Sequence, residues 1–158
     1  MNNEYISWDS YFMAVASLIA QRSKDPVTKV GACIVKDNKI ISTGYNGFPK
    51  NISNSLYPWT KDSDDETENK FFYVVHAELN AIINAKTDIS GSTIYTTKFP
   101  CNECAKAIIQ SGISKIIFDD ENGYLVKRSH LKTKEFLDDA GIIMEKYEKC
   151  GTDLIIRI

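Results

Sequence analysis

Histidine occurs only twice in this 158-residue chain and cysteine only four times. No apolar run approaches the roughly 20 residues that a membrane span needs. A basic excess is missing as well. Nineteen Lys and Arg stand against 21 Asp and Glu, for a net charge of −2. Proteins that neutralise many phosphates of DNA or RNA carry a cationic face, so no polynucleotide partner is expected. A small phosphorylated metabolite needs only one or two cations and stays open. The opening MNNEYISWDS has neither the basic nor the apolar region of a signal peptide. A reducing, cytoplasmic location is therefore expected, where cysteines serve as ligands or core residues rather than in disulfides. There is no internal repeat and no low-complexity tract, and the length suits one domain over residues 1–158.

What is present alternates. Trp8, Tyr11, Phe12, Val15, Leu18 and Ile19 recur at helical spacing from Ser7 to about Arg22, with Ser7 as cap and Asp25-Pro26 as stop. Val30 to Val35 and Lys39 to Thr43 read as two strands around a tight turn over Lys36, Asp37 and Asn38. Gly44-Tyr45-Asn46-Gly47 follows, with glycines able to take positive φ. Phe48 to about Lys70 is the least regular part, with two prolines and an acidic run, and reads as a functional or mobile flap. Beyond it helices (His76 to Lys86, Cys101 to Gln110, Lys127 to Asp139) alternate with strands (Ser92 to Thr97, Ser114 to Phe118, Ile142 to Tyr147). The tail from Asp153 to Ile158 reads as a short strand or docking segment. This order predicts an α/β layered fold on a mixed sheet, antiparallel at the N-terminal pair and parallel in its second half.

The scarce residues gather in FFYVVHAELNAII (Phe71 to Ile83) and KFPCNECAKAII (Lys98 to Ile109). Cys101 and Cys104 are one helical turn apart. If Pro100 starts the helix, both sulfurs lie in its first turn, where unpaired amides favour thiolates. Two thiolates and the imidazole of His76 make a donor set suited to zinc. Three protein ligands rather than four leave one position for water, as catalytic zinc sites do. Glu78, about 200° around the helix axis from His76, is read as facing the water and substrate instead of the metal. A lone CxxC is also found in structural zinc sites and redox pairs. A redox pair leaves His76 and Glu78 without a role. A structural site would need a fourth ligand from Cys33, His130 or Cys150. Cys33, within GACIV, reads as core; Cys150 as a partly buried residue without a named partner; His130, among Lys127, Arg128 and Lys132, as solvated or phosphate-facing.

His76-Ala77-Glu78 with Pro100-Cys101-Asn102-Glu103-Cys104 matches the signature of zinc nucleobase deaminases. Zinc there acidifies water, and Glu78 would move protons to the ring nitrogen and to departing ammonia. YFMAVASLIAQRSKDP (Tyr11 to Pro26), VGACIV (Val30 to Val35), GYNGFP (Gly44 to Pro49), YVVHAELNAI (Tyr73 to Ile82) and FPCNECAKAIIQSGI (Phe99 to Ile113) together resemble the deoxycytidylate deaminase family. The resemblance spans almost the whole chain. It implies a three-layer α/β/α cytidine-deaminase-like fold with a central mixed five-stranded sheet. It also implies hydrolysis of dCMP to dUMP and ammonia for thymidylate synthesis, a homohexamer, activation by dCTP with Mg and inhibition by dTTP. By the same resemblance Asn46 contacts sugar or phosphate, and Arg22, Gly44, Tyr45, Gly47, Ala77 and Tyr124 belong to substrate or effector binding. A hairpin-exit turn and a solvated helix-end arginine account for GYNG and Arg22 equally well. Pro49-Lys50-Asn51 lacks the family's glycine, and in residues 120–125 only Tyr124 matches the family's Asp-Lys-Tyr-His-Asp segment. Other readings are a deaminase of the superfamily acting on a nucleoside or a polynucleotide base, and a catalytically silent nucleotide-binding zinc protein.

Overall fold

The computed structural model describes residues 5–120, 123, 127–151, 153 and 155–157. Helix α1 (Trp8–Ala20) opens on Ser7, whose hydroxyl accepts from the Ser10 amide. Strands β1 (Gly31–Lys36) and β2 (Lys39–Tyr45) form a hairpin. Its two turn residues, Asp37 and Asn38, both have positive φ (51° and 57°). That turn matches the twist of the strands it joins.

After the flap come α2 (Ala77–Asn84), β3 (Thr93–Thr96), α3 (Asn102–Gln110), β4 (Lys115–Phe118), α4 (Arg128–Asp139) and β5 (Ile143–Lys146). The sheet order is β2-β1-β3-β4-β5. β1 pairs antiparallel with β2 and β3, whereas β3, β4 and β5 run parallel. The mixed sheet expected from the sequence is present. Each element begins or ends within a few residues of its sequence-based span. Asp153 and residues 155–157 form no strand, so no sixth strand is seen among the described residues.

Alternation along the strands divides the core into two. Ala32, Ile34, Ile94, Ile116 and Phe118 face Ala77, Ala81, Ala105, Ile108 and Leu137 from α2, α3 and α4. Cys33, Val35, Tyr95 and Ile117 point the other way, onto Phe12, Met13 and Ala16 of α1. The fold is therefore α/β/α. Cys33 is a core residue, and its burial pushes the thiol up to about 12. Cys150 is exposed rather than partly buried.

Neither Gly44 nor Gly47 adopts positive φ. Gly44 has a different reason to be glycine: an added Cβ would lie 2.3 Å from the Ala77 carbonyl oxygen and 2.4 Å from the Ala81 amide nitrogen. Its bare face is where α2 rests on β2. Gly44→Ala is thus expected to push α2 away from the sheet. Overpacking on this scale costs roughly 3 kcal/mol or more, about 6–12 °C in Tm for a chain of this length. Calorimetry of the variant checks this, and an unchanged Tm would contradict the packing.

The flap folds around its own aromatic cluster. Phe48 stacks on Trp59 and Tyr57 on Tyr73, each pair with centroids 4.2 Å apart. The Trp59 indole donates to the Asn54 carbonyl. Two short 3-10 turns, Glu66–Glu68 and Lys70–Phe72, lead the chain into α2. Among the described residues no helix is long and apolar enough to cross a membrane.

Candidate metal centre and cavity

Two helix starts converge on one point. His76 is the N-cap of α2 and Cys101 the N-cap of α3. A cap side chain usually accepts from the first amides of its helix, but neither of these does. The two are aimed at each other: His76 Nδ1 lies 3.3 Å from Cys101 Sγ and 3.5 Å from Cys104 Sγ. The ligand atoms of all three residues fall within 4.8 Å of one another.

This arrangement corrects two local readings. His76 precedes α2 with extended backbone (φ −71°, ψ 158°), so the 200° helix-angle argument does not describe its relation to Glu78. Pro100 likewise precedes the cap, and α3 starts at Asn102, one residue after Cys101.

The donor set fits zinc. Bonds of about 2.3 Å to sulfur and 2.0–2.1 Å to nitrogen at tetrahedral angles place N and S roughly 3.6 Å apart, close to the separations seen. No fourth His, Cys, Asp or Glu joins the cluster among the described residues. Cys33, His130 and Cys150, the fourth-ligand alternatives, lie outside it.

The hydrogen bond from Cys104 and contact with His76 push Cys101 down to about 3, against the effect of burial. Donating that bond, burial and the nearby Glu78 push Cys104 well above the ordinary thiol range. The hydrogen bond to Cys101 also raises His76. A dication would reverse this, holding two thiolates and a neutral imidazole and releasing protons on binding.

Glu78, in the first turn of α2, is 3% exposed. Its Oε2 lies 3.5 Å from Cys104 Sγ. Burial pushes its carboxyl above the usual carboxylate range, opposed by a backbone hydrogen bond and the His76 charge. A carboxyl so placed can both take and give a proton near neutral pH.

Glu78, His76 and Cys101 line a cavity of about 420 Å³, a size suited to a small ligand. Lys61, Lys70, Phe71 and Val74 come to it from the flap and its C-terminal leg. Lys98, Phe99, Lys127 and His130 come from the segments before α3 and at the start of α4. The His130 ring meets Phe99 edge-on, with centroids 5.9 Å apart.

Of the residues expected to bind substrate or effector, Asn46 and Ala77 line the cavity; Arg22, Gly44, Tyr45 and Gly47 do not. Arg22 is exposed beyond the end of α1. Tyr124 lies outside the described residues. The Asn46 side chain is engaged within the protein: its Oδ1 accepts from the Val30 amide, and its Nδ2 donates to the Thr28 carbonyl and towards Asp25. The sequence reading passed over Asp25, Lys61, Lys70 and Lys98. Asp25 had a signal only as a helix stop before proline, and the lysines sit in segments without periodicity.

Residues 6–119 match the family described as "Cytidine and deoxycytidylate deaminase zinc-binding region". The "Probable deoxycytidylate deaminase" of Drosophila melanogaster is 49% identical over 151 residues, 91% of this chain and 74% of the fly protein. The "Deoxycytidylate deaminase" of Homo sapiens is 45% identical over 156 residues, 97% of this chain and 87% of the human protein. Among solved structures, the dCMP deaminase from the cyanophage S-TIM5 in complex with dCMP and dUMP has a TM-score of 0.71 and 27% identity. That match covers 90% of this chain and 100% of the phage chain.

Proposed function

Because the chain belongs to the cytidine and deoxycytidylate deaminase family, we propose that it is a zinc-dependent enzyme hydrolysing dCMP to dUMP and ammonia. The observation that carries this reading is the buried Glu78 carboxyl beside the His76–Cys101–Cys104 cluster at the wall of the cavity. Those three residues would hold zinc, which when bound supplies the Lewis acidity that brings water ionisation to near neutral pH. Glu78 takes the water proton and delivers it to the ring nitrogen next to the amino-bearing carbon. It then moves a second proton to the amino group, which leaves as ammonia. Water thus supplies the oxygen of dUMP, the hydrogen on its ring nitrogen and one hydrogen of the ammonia, whose other two come from the amino group.

Cavity charge favours a nucleotide over a nucleoside. Lys61, Lys98 and Lys127 line it together with Glu78, and Asp25 and Lys70 form an ion pair in the same wall. The lysine side chains bring to this wall the ammonium chemistry that binds a 5′-phosphate. Asn46 and Ala77 line the same space, whereas Arg22, Gly44, Tyr45 and Gly47 fit an effector site or a structural role better than substrate contact. We assign residues 1–158 to a single deaminase domain. By the sequence resemblance to the deoxycytidylate deaminase family it would supply dUMP for thymidylate synthesis, as a homohexamer activated by dCTP with Mg and inhibited by dTTP. The thiols of Cys101 and Cys104 need a reducing compartment such as the cytoplasm.

Ultraviolet monitoring of deamination with dCMP, CMP, deoxycytidine and dCTP, each with and without dCTP-Mg or dTTP, tests the proposal. One charge-assisted contact to phosphate stabilises binding by about 1.5–3 kcal/mol. dCMP should therefore exceed deoxycytidine at least tenfold in kcat/KM. Equal turnover of the two would remove the phosphate from the substrate definition.

A further inference from the structure

Two further charges in the cavity wall, outside the metal cluster, are as enclosed as Glu78. Asp25 and Lys70 are 1% and 3% exposed, with Lys70 Nζ 2.5 Å from Asp25 Oδ2. The other carboxylate oxygen of Asp25 accepts from the Val27 and Thr28 amides. Burial pushes this carboxyl up, but the hydrogen bonds from Lys70, Thr28 and Val27 outweigh it and hold the group below its ordinary range. Asn46 Nδ2 closes the cluster at 3.4 Å from Oδ2.

Replacing a buried ion pair with well-packed apolar groups is often neutral or stabilising, whereas removing one partner is costly. Stability alone therefore gives weak grounds for keeping this pair. Its position gives stronger ones. Lys70 stands where the flap returns to the body: its amide donates to the Thr60 carbonyl, and its carbonyl accepts from the Tyr73 and Val74 amides. One residue beyond Val74, Val75 bridges to Gly47, and His76 follows at once. Five residues thus separate a charge-locked anchor from the proposed metal-ligating imidazole. The same anchor fixes the strip of flap that carries Phe71 and Val74 along the cavity.

We propose that Asp25 and Lys70 are positioning residues. Their ion pair clamps the returning leg of the flap against the segment after α1 and so sets where His76 and the flap wall meet metal and substrate. This rests on the deaminase reading above. The clamp crosses 45 residues of sequence and touches neither reacting atoms nor metal ligands.

The test separates position from stability. Lys70→Met leaves Asp25 buried and alone, so Tm, zinc affinity and KM should all suffer. Asp25→Asn combined with Lys70→Met removes both charges and should regain most of the lost Tm. KM for dCMP should nevertheless stay at least tenfold above wild type, and the zinc dissociation constant, measured by chelator competition, should stay at least tenfold weaker. The kcat at saturating zinc and substrate should remain within about threefold. Lys70→Arg provides a second arm that keeps the charge and the fold. Its longer, forked head cannot occupy the enclosed lysine site without moving the leg, so KM and the zinc constant should each worsen at least threefold. Wild-type KM and zinc affinity in a double variant with recovered Tm would overturn the assignment. If the double variant does not fold, wild-type values in Lys70→Arg would do so. Zinc competition uses no substrate, so it still decides the role of the pair should dCMP prove not to be turned over.

Discussion

Glu78→Gln is expected to leave zinc stoichiometry and fold intact while lowering kcat for dCMP by roughly 10²–10⁴-fold, the range for losing a positioned acid-base group. Glutamine keeps the shape and can still hydrogen-bond within the cavity, but it cannot accept a proton from water or carry one to the substrate. The site gives the change little else to alter. Glu78 is 3% exposed and stands beside, not within, the three-residue cluster. Removing a buried carboxyl should leave Tm level or slightly higher, because burial already disfavours its charged form. Elemental analysis, a thermal melt and the ultraviolet assay on one preparation decide the matter. Zinc retained with activity within tenfold of wild type would take Glu78 out of the proton path.

His76→Ala should fail differently, at the metal and then at the fold. Deleting one of three ligands is expected to weaken zinc by more than the roughly 10–100-fold that loss of an outer-shell partner costs. Ligand binding stabilises the folded state by about 2.7 kcal/mol at a hundredfold excess over Kd. Zinc-dependent stabilisation should therefore shrink along with affinity, and added zinc should raise the Tm of wild type far more than that of the variant. The cap position sharpens the expectation: His76 makes no side-chain bond to α2, so alanine removes no capping interaction. A variant with wild-type zinc content and melting behaviour would show that His76 is not a ligand.

The strands and helices were legible because the chain changes period cleanly from 3.6 to 2 at breaks such as Asp25-Pro26 and Ser111-Gly112, and because Asp37-Asn38 marks the turn between two strands. The metal triad was legible because histidine and cysteine are scarce here and cluster in two short stretches. Local geometry within those stretches was not. Whether His76 begins a helix or caps it depends on the bridge between Val75 and Gly47, a tertiary contact with no sequence period. The GYNG glycines suggested positive φ, yet Gly44 is small because α2 lies against it. The cavity wall was hardest to read. Asp25 and Lys70 meet only once the flap has folded on Phe48, Tyr57, Trp59 and Tyr73, and no spacing rule joins a residue before proline to a lysine at the end of an irregular segment.

X-ray absorption at the zinc edge of purified, active protein tests the central claim most directly. The account predicts one zinc per chain with two sulfurs at about 2.3 Å and two lighter atoms near 2.0 Å, one of them exchangeable for an inhibitor or product oxygen. A protein that turns over without zinc, or whose zinc is enclosed by a third sulfur or a fourth side chain, would contradict it.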